Sequence, residues 1–499
     1  MPETTTTDFD PTTTSAAYDL QYDSWALNRD FGEMHLSVLR DGDHLDMFGG
    51  KGIEAEAQYT WRLNASFAMD HCEDLINLRV DNIFRTPPKR VYDGSSHQEF
   101  IERFLADVDG GGMTMDAFIR RALRLYYING VDIVIDKDRA DVAPDNQAQE
   151  SQLGLVPYLH AFGPMERLDW AVDHSGRYLW VRYKLGKRPA PDEGQEEGST
   201  EYLTVTPTEW RLYEVFEDAS QKTRVTIGPH AAGICPVVPF YFKESIRPDL
   251  PKVPLSLLTR IAPIARYLLN LISQIQIDIY RNIAFLVATG VKADEIPTEI
   301  TPMGCWALPE GATLTDIAGS EKHIIEKRAF AVMLIETILR IGKLAGHSGE
   351  LKSRASSGVQ VAVERTDLDN EMRMTAAQAE AVEREVLRIA VSRSIGREID
   401  VDELGYAVEY NTQYVLTGTA ELIEHITRLI ETDTHVAVPE PLKIMLRQLV
   451  GILANEDDAA YGVAMQQIDE MVSEDIVSSK VKGDMGADLG GGDADELKL

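Results

Sequence analysis
The chain has 499 residues, enough for several domains, with ordinary globular proportions of 44% hydrophobic and 26% charged residues. Its 49 Lys and Arg against 81 Asp and Glu leave a formal net charge of −32, so most of its surface repels nucleic acid and any DNA contact must be local or slippery. Cys72, Cys235 and Cys305 stand far apart without a CxxC spacing, which offers no disulfide framework or zinc site and fits a reducing cytoplasm.

The Thr-rich, acidic start, to about residue 20, reads as disordered and lacks the basic and apolar regions of a signal peptide. From Glu56 to Phe84 the residues Tyr59, Leu63, Phe67, Met69, Leu75, Leu78, Val80 and Ile83 form a loosely helical pattern that ends at Pro87-Pro88. A second helix, Met115 to Ile128, is closed by Asn129-Gly130, and Val131 to Ile135 follows as a strand. Strand signals continue at 157–162, 177–183, 201–205, 210–215 and 222–227, while 187–199 reads as a surface hairpin or disordered loop. Residues 25–250 therefore predict an α+β unit, helices first and an antiparallel-type sheet after.

The most informative span comes next. No proline occurs between Pro309 and Pro439, so long helices are permitted there. A helix from Pro254 to Phe285, kinked at Pro263, carries Leu257, Leu258, Ile261, Ile264, Leu268, Leu271, Ile272, Ile275 and Ile279 on one face. Its longest uncharged run, Tyr267 to Ile277, is too short to span a bilayer. A second helix runs from Lys322 to Leu344 and breaks at Gly346-His347-Ser348-Gly349. A loop of small and basic residues, Glu350 to Ser357, leads into a helix of roughly ten turns after Gly358. Two helices that go out and come back around a small insert make a rod with a tip. Beyond residue 396 the chain turns acidic, with a strand at 406–414, short helices at 421–431, 440–454 and 459–472, and a disordered tail from 481.

Enzymatic chemistry finds little support. Gly346 to Ser353 imitates a phosphate loop but has Leu351, not glycine, before Lys352, and follows a helix instead of a strand. Asp132, Asp136, Asp138 and Asp141 cluster at a strand end, where carboxylates facing water are favoured over a hard-cation site. His71 beside Cys72 has only Asp74 near it, too little for a site, and neither a Gly-x-Ser-x-Gly elbow nor a His-Glu-x-x-His helix occurs. Lys343, Lys352, Arg354 and Arg365 make a local positive spot in an acidic chain.

Several segments in order resemble tailed-bacteriophage portal proteins. Tyr59 to Leu63 with Phe84-Arg85-Thr86-Pro87-Pro88 is similar to the family's N-terminal helix and its Phe-x-x-Pro-Pro stop. Phe118 to Asp136 resembles its helix, glycine and hydrophobic strand, and Leu168-Asp169-Trp170 its Ile-x-Asp-Trp strand. Pro236 to Phe240 is similar to the lead-in to the first stem helix, Trp306 to Ala312 to the Leu-Pro-Glu-Gly turn, and Ser356 to Val359 to the opening of the long wing helix. The last third matches only in helical character and acidity.

The resemblance implies an α+β portal fold: an α/β wing (21–250) after a disordered tail (1–20), two stem helices (251–287 and 321–344) and a small clip (288–320). A tunnel loop (345–358), a long kinked wing helix (359–400), a helical crown (401–478) and a disordered acidic tail (479–499) complete it. It implies a homo-oligomeric ring, usually of twelve subunits, at one capsid vertex of the virion, assembled in the host cytoplasm. Double-stranded DNA would pass through its lumen, and the large terminase, a head-tail adaptor, and capsid and scaffold proteins would be partners; no membrane, metal, cofactor or catalysis is implied. Lys343, His347, Lys352, Ser353 and Arg354 would face DNA, and Glu295, Thr298 and Glu299 would contact partners at the clip, although that insert is short. An acidic wall with a few basic contacts, repeated around a ring, would let the duplex slide. Two alternatives stand beside this: a helical scaffold or adaptor protein, and a divalent-dependent phosphoryl-transfer enzyme using Asp136 and Asp138.

Overall fold
The computed structural model describes residues 3–33, 44–47, 54–137, 156–188, 199–216, 222–230, 233–281, 285–289, 313–317, 321–344 and 358–412. These belong to one compact unit, Met1–Tyr414; a second unit, Val415–Leu499, lies outside them, and so do the expected helices beyond residue 420 and the acidic tail.

The fold mixes α and β. Strand β1 (Glu3–Thr7) and helix α1 (Ala16–Glu33) come first, then α2 (Glu56–Ala65), α3 (His71–Ile83), β2 (Lys89–Val91), α4 (Gln98–Ala106) and α5 (Met115–Ile128). Nine strands follow, β3 (Val131–Lys137), β4 (Pro157–Phe162), β5 (Arg167–Val172), β6 (Tyr178–Arg188), β7 (Ser199–Val205), β8 (Glu209–Phe216), β9 (Thr223–Pro229), β10 (Val237–Phe240) and β11 (Lys243–Glu244). After β12 (Pro254–Leu255) come α6 (Ala262–Arg281), β13 (Phe285–Thr289), β14 (Thr313–Ile317), α7 (Glu321–Ile341), α8 (Gly358–Ile395), α9 (Val401–Leu404) and β15 (Ala407–Glu409). No helix among the described residues is long and apolar enough to cross a membrane.

The disordered start is overturned. Glu3–Thr7 pairs antiparallel with β9, Thr5 opposite Val225, and closes one edge of a six-stranded sheet in the order β1-β9-β8-β7-β6-β5. Threonine is β-branched and suits a pleated strand even where hydrophobicity is low. Helix α1 then inserts Trp25, 2% exposed, into a core with Val134, Phe162, Trp170, Val181, Tyr183 and Val253. That core joins the six-stranded sheet to a three-stranded one, β10-β3-β4. Asn129 reinforces the junction by donating its amide to the Trp25 carbonyl at 2.7 Å. Gly130 follows at φ +83°, where a Cβ would meet Pro254 and Tyr241 at 2.8 Å, so only glycine fits.

Two helical expectations need correction. The stretch 56–84 is two helices, because Ser66 turns back on the Arg62 carbonyl (2.7 Å) and Asp70 caps a new helix by accepting the Glu73 amide at 3.1 Å. The helix expected from Pro254 to Phe285 begins only at Ala262 and ends at Arg281: Pro254–Leu255 pairs with Lys243–Glu244, and Phe285 belongs to a strand. Pro263 occupies the first turn, where its missing N–H costs nothing, so it starts the helix and does not kink it.

Candidate functional site where the end of α7 meets α8
Helices α6 and α7 pack on each other and flank, in sequence, the antiparallel ribbon β13–β14. Lys327 binds Asp278 at 2.6 Å and Tyr267 meets Phe330 edge-on at 5.9 Å between ring centres. Each face of α7 bears apolar residues, yet little of it is covered. Ile338 is enclosed, while Ile325, Phe330, Val332 and Met333 are exposed.

The end of α7 is built as a Schellman closure. The Leu344 amide donates to the Leu339 carbonyl at 2.7 Å and the Lys343 amide to the Arg340 carbonyl at 3.0 Å. The left-handed position of that motif normally takes glycine; here it is Lys343, at φ +59°. Gly342, one residue earlier, packs so closely that a Cβ would lie 2.5 Å from Leu75. Placing a lysine in the left-handed conformation costs about 1–2 kcal/mol, and its side chain supplies an offset. Lys343 Nζ lies 2.8 Å from Glu371 and donates to the Asp367 carbonyl at 3.2 Å, both on α8.

Arg79 completes the joint. Fully buried on α3, it donates to Glu371 at 2.9 Å, to the Gly342 carbonyl at 2.8 Å and to the Leu75 carbonyl at 2.8 Å. Burial works against the Glu371 carboxylate, but Arg79 and Lys343 outweigh it and hold its pKa below the ordinary carboxylate value. The end of α7 and the Glu371 position of α8 are thereby fastened to α3.

Of the expected site residues, Lys343 lies in this joint, about a third exposed and engaged with Glu371. His347, Lys352, Ser353 and Arg354, and the clip residues Glu295, Thr298 and Glu299, lie outside the described residues. Sequence reasoning missed Arg79 and Glu371. The available signal was a lone arginine on the apolar stripe of Leu75, Ile76, Val80 and Ile83.

The aspartates do not face water as expected. Asp132, 3% exposed, receives hydrogen bonds from Arg167 (3.3 Å) and Tyr183 (2.9 Å) and from the Tyr241 hydroxyl. Asp136, also buried, lies 3.7 Å from Arg393 and accepts from Tyr158. Both are charge partners inside the core, and among the described residues no group of His, Cys, Asp or Glu could hold a metal ion. Asp138 and Asp141 are outside the described residues. His71 opens α3 and is half-buried, and burial lowers its pKa.

No protein-family model and no curated protein matches this chain. Geometry therefore carries the functional reading.

Proposed function
We propose that this chain is a portal-type ring subunit, a structural channel for double-stranded DNA at a capsid vertex, with no catalytic step of its own. The observation that carries the reading is the order of parts: two packed helices flanking a small ribbon, then a 38-residue helix that Glu371 ties to the end of the second. In this reading α6 and α7 are the stem, the segment between them the clip, 345–357 the tunnel loop and α8 the wing helix. The large terminase and a head-tail adaptor would dock at the clip, and capsid and scaffold proteins at the wing.

The exposed apolar residues of the stem support it. Tyr267 is 55% exposed, Ile279 53%, Ile325 62% and Met333 48%, a concentration that a lone stem leaves in water and a neighbouring copy would cover. A ring needs heterologous contacts that repeat and close.

Negative-stain electron microscopy with mass measurement tests this. Rings with a central hole, more than ten times the 55.6 kDa chain, are expected, and Ile325→Glu with Met333→Glu should leave folded single chains. Monomers in the wild type at every concentration, and with the scaffold present, would favour the scaffold or adaptor reading instead.

A further inference from the structure
Helix α6 holds a different neighbour on each flank. Asp278 and Tyr267 carry α7, through Lys327 and Phe330. They stand about three turns apart and so share one face. Ser273 and Gln276 fall about 120–180° around the helix from them, and there they hold the elbow between α2 and α3. Arg62 donates to the Ser273 hydroxyl at 3.3 Å, Ser66 to the same oxygen at 3.0 Å, and Gln276 to the Ala65 carbonyl at 3.5 Å.

Both outer sides of this arrangement are apolar and open. The elbow exposes Trp61, Phe67 and Met69, residue types enriched at protein interfaces. On α7, Ile325, Ala329, Val332 and Met333 follow one another at helical steps, and all four are exposed. They lie on the side of the helix opposite Lys327, Ala331 and Ile338, which turn inward. A helix apolar on both sides is one that is covered on both. With α6 between them, the stripe and the elbow of one chain face in opposite directions.

We propose that the outer stripe of α7 seats on the α2–α3 elbow of a neighbouring copy, an inference that rests on the ring reading and names both halves of one subunit contact. Unlike patches on opposite flanks make a heterologous contact, the kind that repeats from copy to copy. Charge favours this pairing over elbow on elbow. Residues 54–74 hold five carboxylates and one arginine, whereas residues 321–341 hold four Lys or Arg against three Glu. Two elbows would therefore repel, as most of the surface of a −32 chain does. Arg328 and Arg340 are exposed on α7 without a carboxylate partner among the described residues, and they meet the rim formed by Asp70 and Asp74.

The test uses the full chain carrying Phe67→Cys together with Val332→Cys, treated with a short bismaleimide and run on denaturing gels. A ladder of three or more joined chains is expected. Each single variant, which keeps the native Cys72, Cys235 and Cys305, should give none. Phe67→Ser should raise the concentration needed for assembly roughly tenfold or more, with an unchanged melt of the single chain. Rings seen by electron microscopy that yield no ladder, or that tolerate Phe67→Ser unchanged, overturn this contact and leave the ring reading standing. Dimers from Val332→Cys alone overturn it in favour of stripe on stripe. Absence of rings under all conditions overturns both.

Discussion
Arg79 and Glu371, 292 positions apart in the chain, meet in a buried ion pair at 2.9 Å that fastens α3 to the long helix α8. Replacing Arg79 with Met removes three hydrogen bonds and leaves Glu371 buried with Lys343 as its remaining cationic partner. The expected destabilisation is about 3–5 kcal/mol by urea denaturation. Arg79→Lys should restore little of it, because an ammonium lacks the fork that reaches all of these acceptors. A loss below about 1 kcal/mol would show the joint to be incidental.

Lys343 gives a cleaner comparison. Lys343→Ala and Lys343→Gly both lose the contact with Glu371, but only glycine adopts φ +59° without penalty. The glycine variant should therefore be the more stable of the two, by about 1–2 kcal/mol. Equal melting would mean that α7 does not end in the left-handed turn.

His230 sets an acid limit on stability. Burial first, and Arg393 next, lower its pKa to about 4, and its ring lies 2.6 Å from the Thr206 carbonyl. Because the folded state holds it neutral, the unfolded chain takes up the proton first as pH falls. Stability is thus complete above the ordinary value of 6.5 and declines as pH falls from there to about 4. The sum is on the order of 3 kcal/mol. His230→Gln should flatten the profile in that window. Glu371→Gln should act lower, where the lowered carboxylate pKa makes the wild type lose stability as pH falls below the ordinary 4.5. A His230→Gln profile parallel to the wild type between those limits would refute the assignment.

Glu383 is a second buried carboxylate on α8. It accepts from Arg90 at 2.7 Å and from the hydroxyls of Tyr406 and Tyr410, each at 2.5 Å. Tyr406→Phe and Tyr410→Phe should each cost about 1.5–3 kcal/mol, as hydrogen bonds to a charged group do. Sharing one acceptor, their effects should not add. Thermal melts of the two single variants and the double variant read both quantities.

Lys352→Ala with Arg354→Ala tests the DNA contact implied by the proposed function. Packaging or retention of DNA should fall while rings still form, and the salt dependence of any remaining binding should become shallower. Normal packaging by the double variant would remove these residues from that role.

What could be read in advance divides by range in the chain. Helices α6, α7 and α8 were legible because Leu268, Leu271 and Ile272 on α6 and Leu334, Ile335 and Ile338 on α7 recur at helical spacing and no proline interrupts 310–438. Helix α1 was missed because its buried residues, Trp25, Asn28, Phe31 and Gly32, are few and mixed in character. Asp132 resembled a surface carboxylate because Arg167 and Tyr241, which neutralise and enclose it, lie 35 and 109 positions away. The same holds for Arg79 and Glu371. Local patterns announce elements; nothing local announces which charge an element will meet once folded.

The threonine strand β1 has a practical side. A Thr-rich start is commonly cut away when a protein is trimmed for crystallisation or tagging. Here the cut would strip β9 of Thr223–Ile227's partners and leave a bare strand edge open to any passing extended chain. The shortened protein would be prone to cluster or precipitate, and that stickiness would come from the exposed β9 edge rather than from any loss of the core.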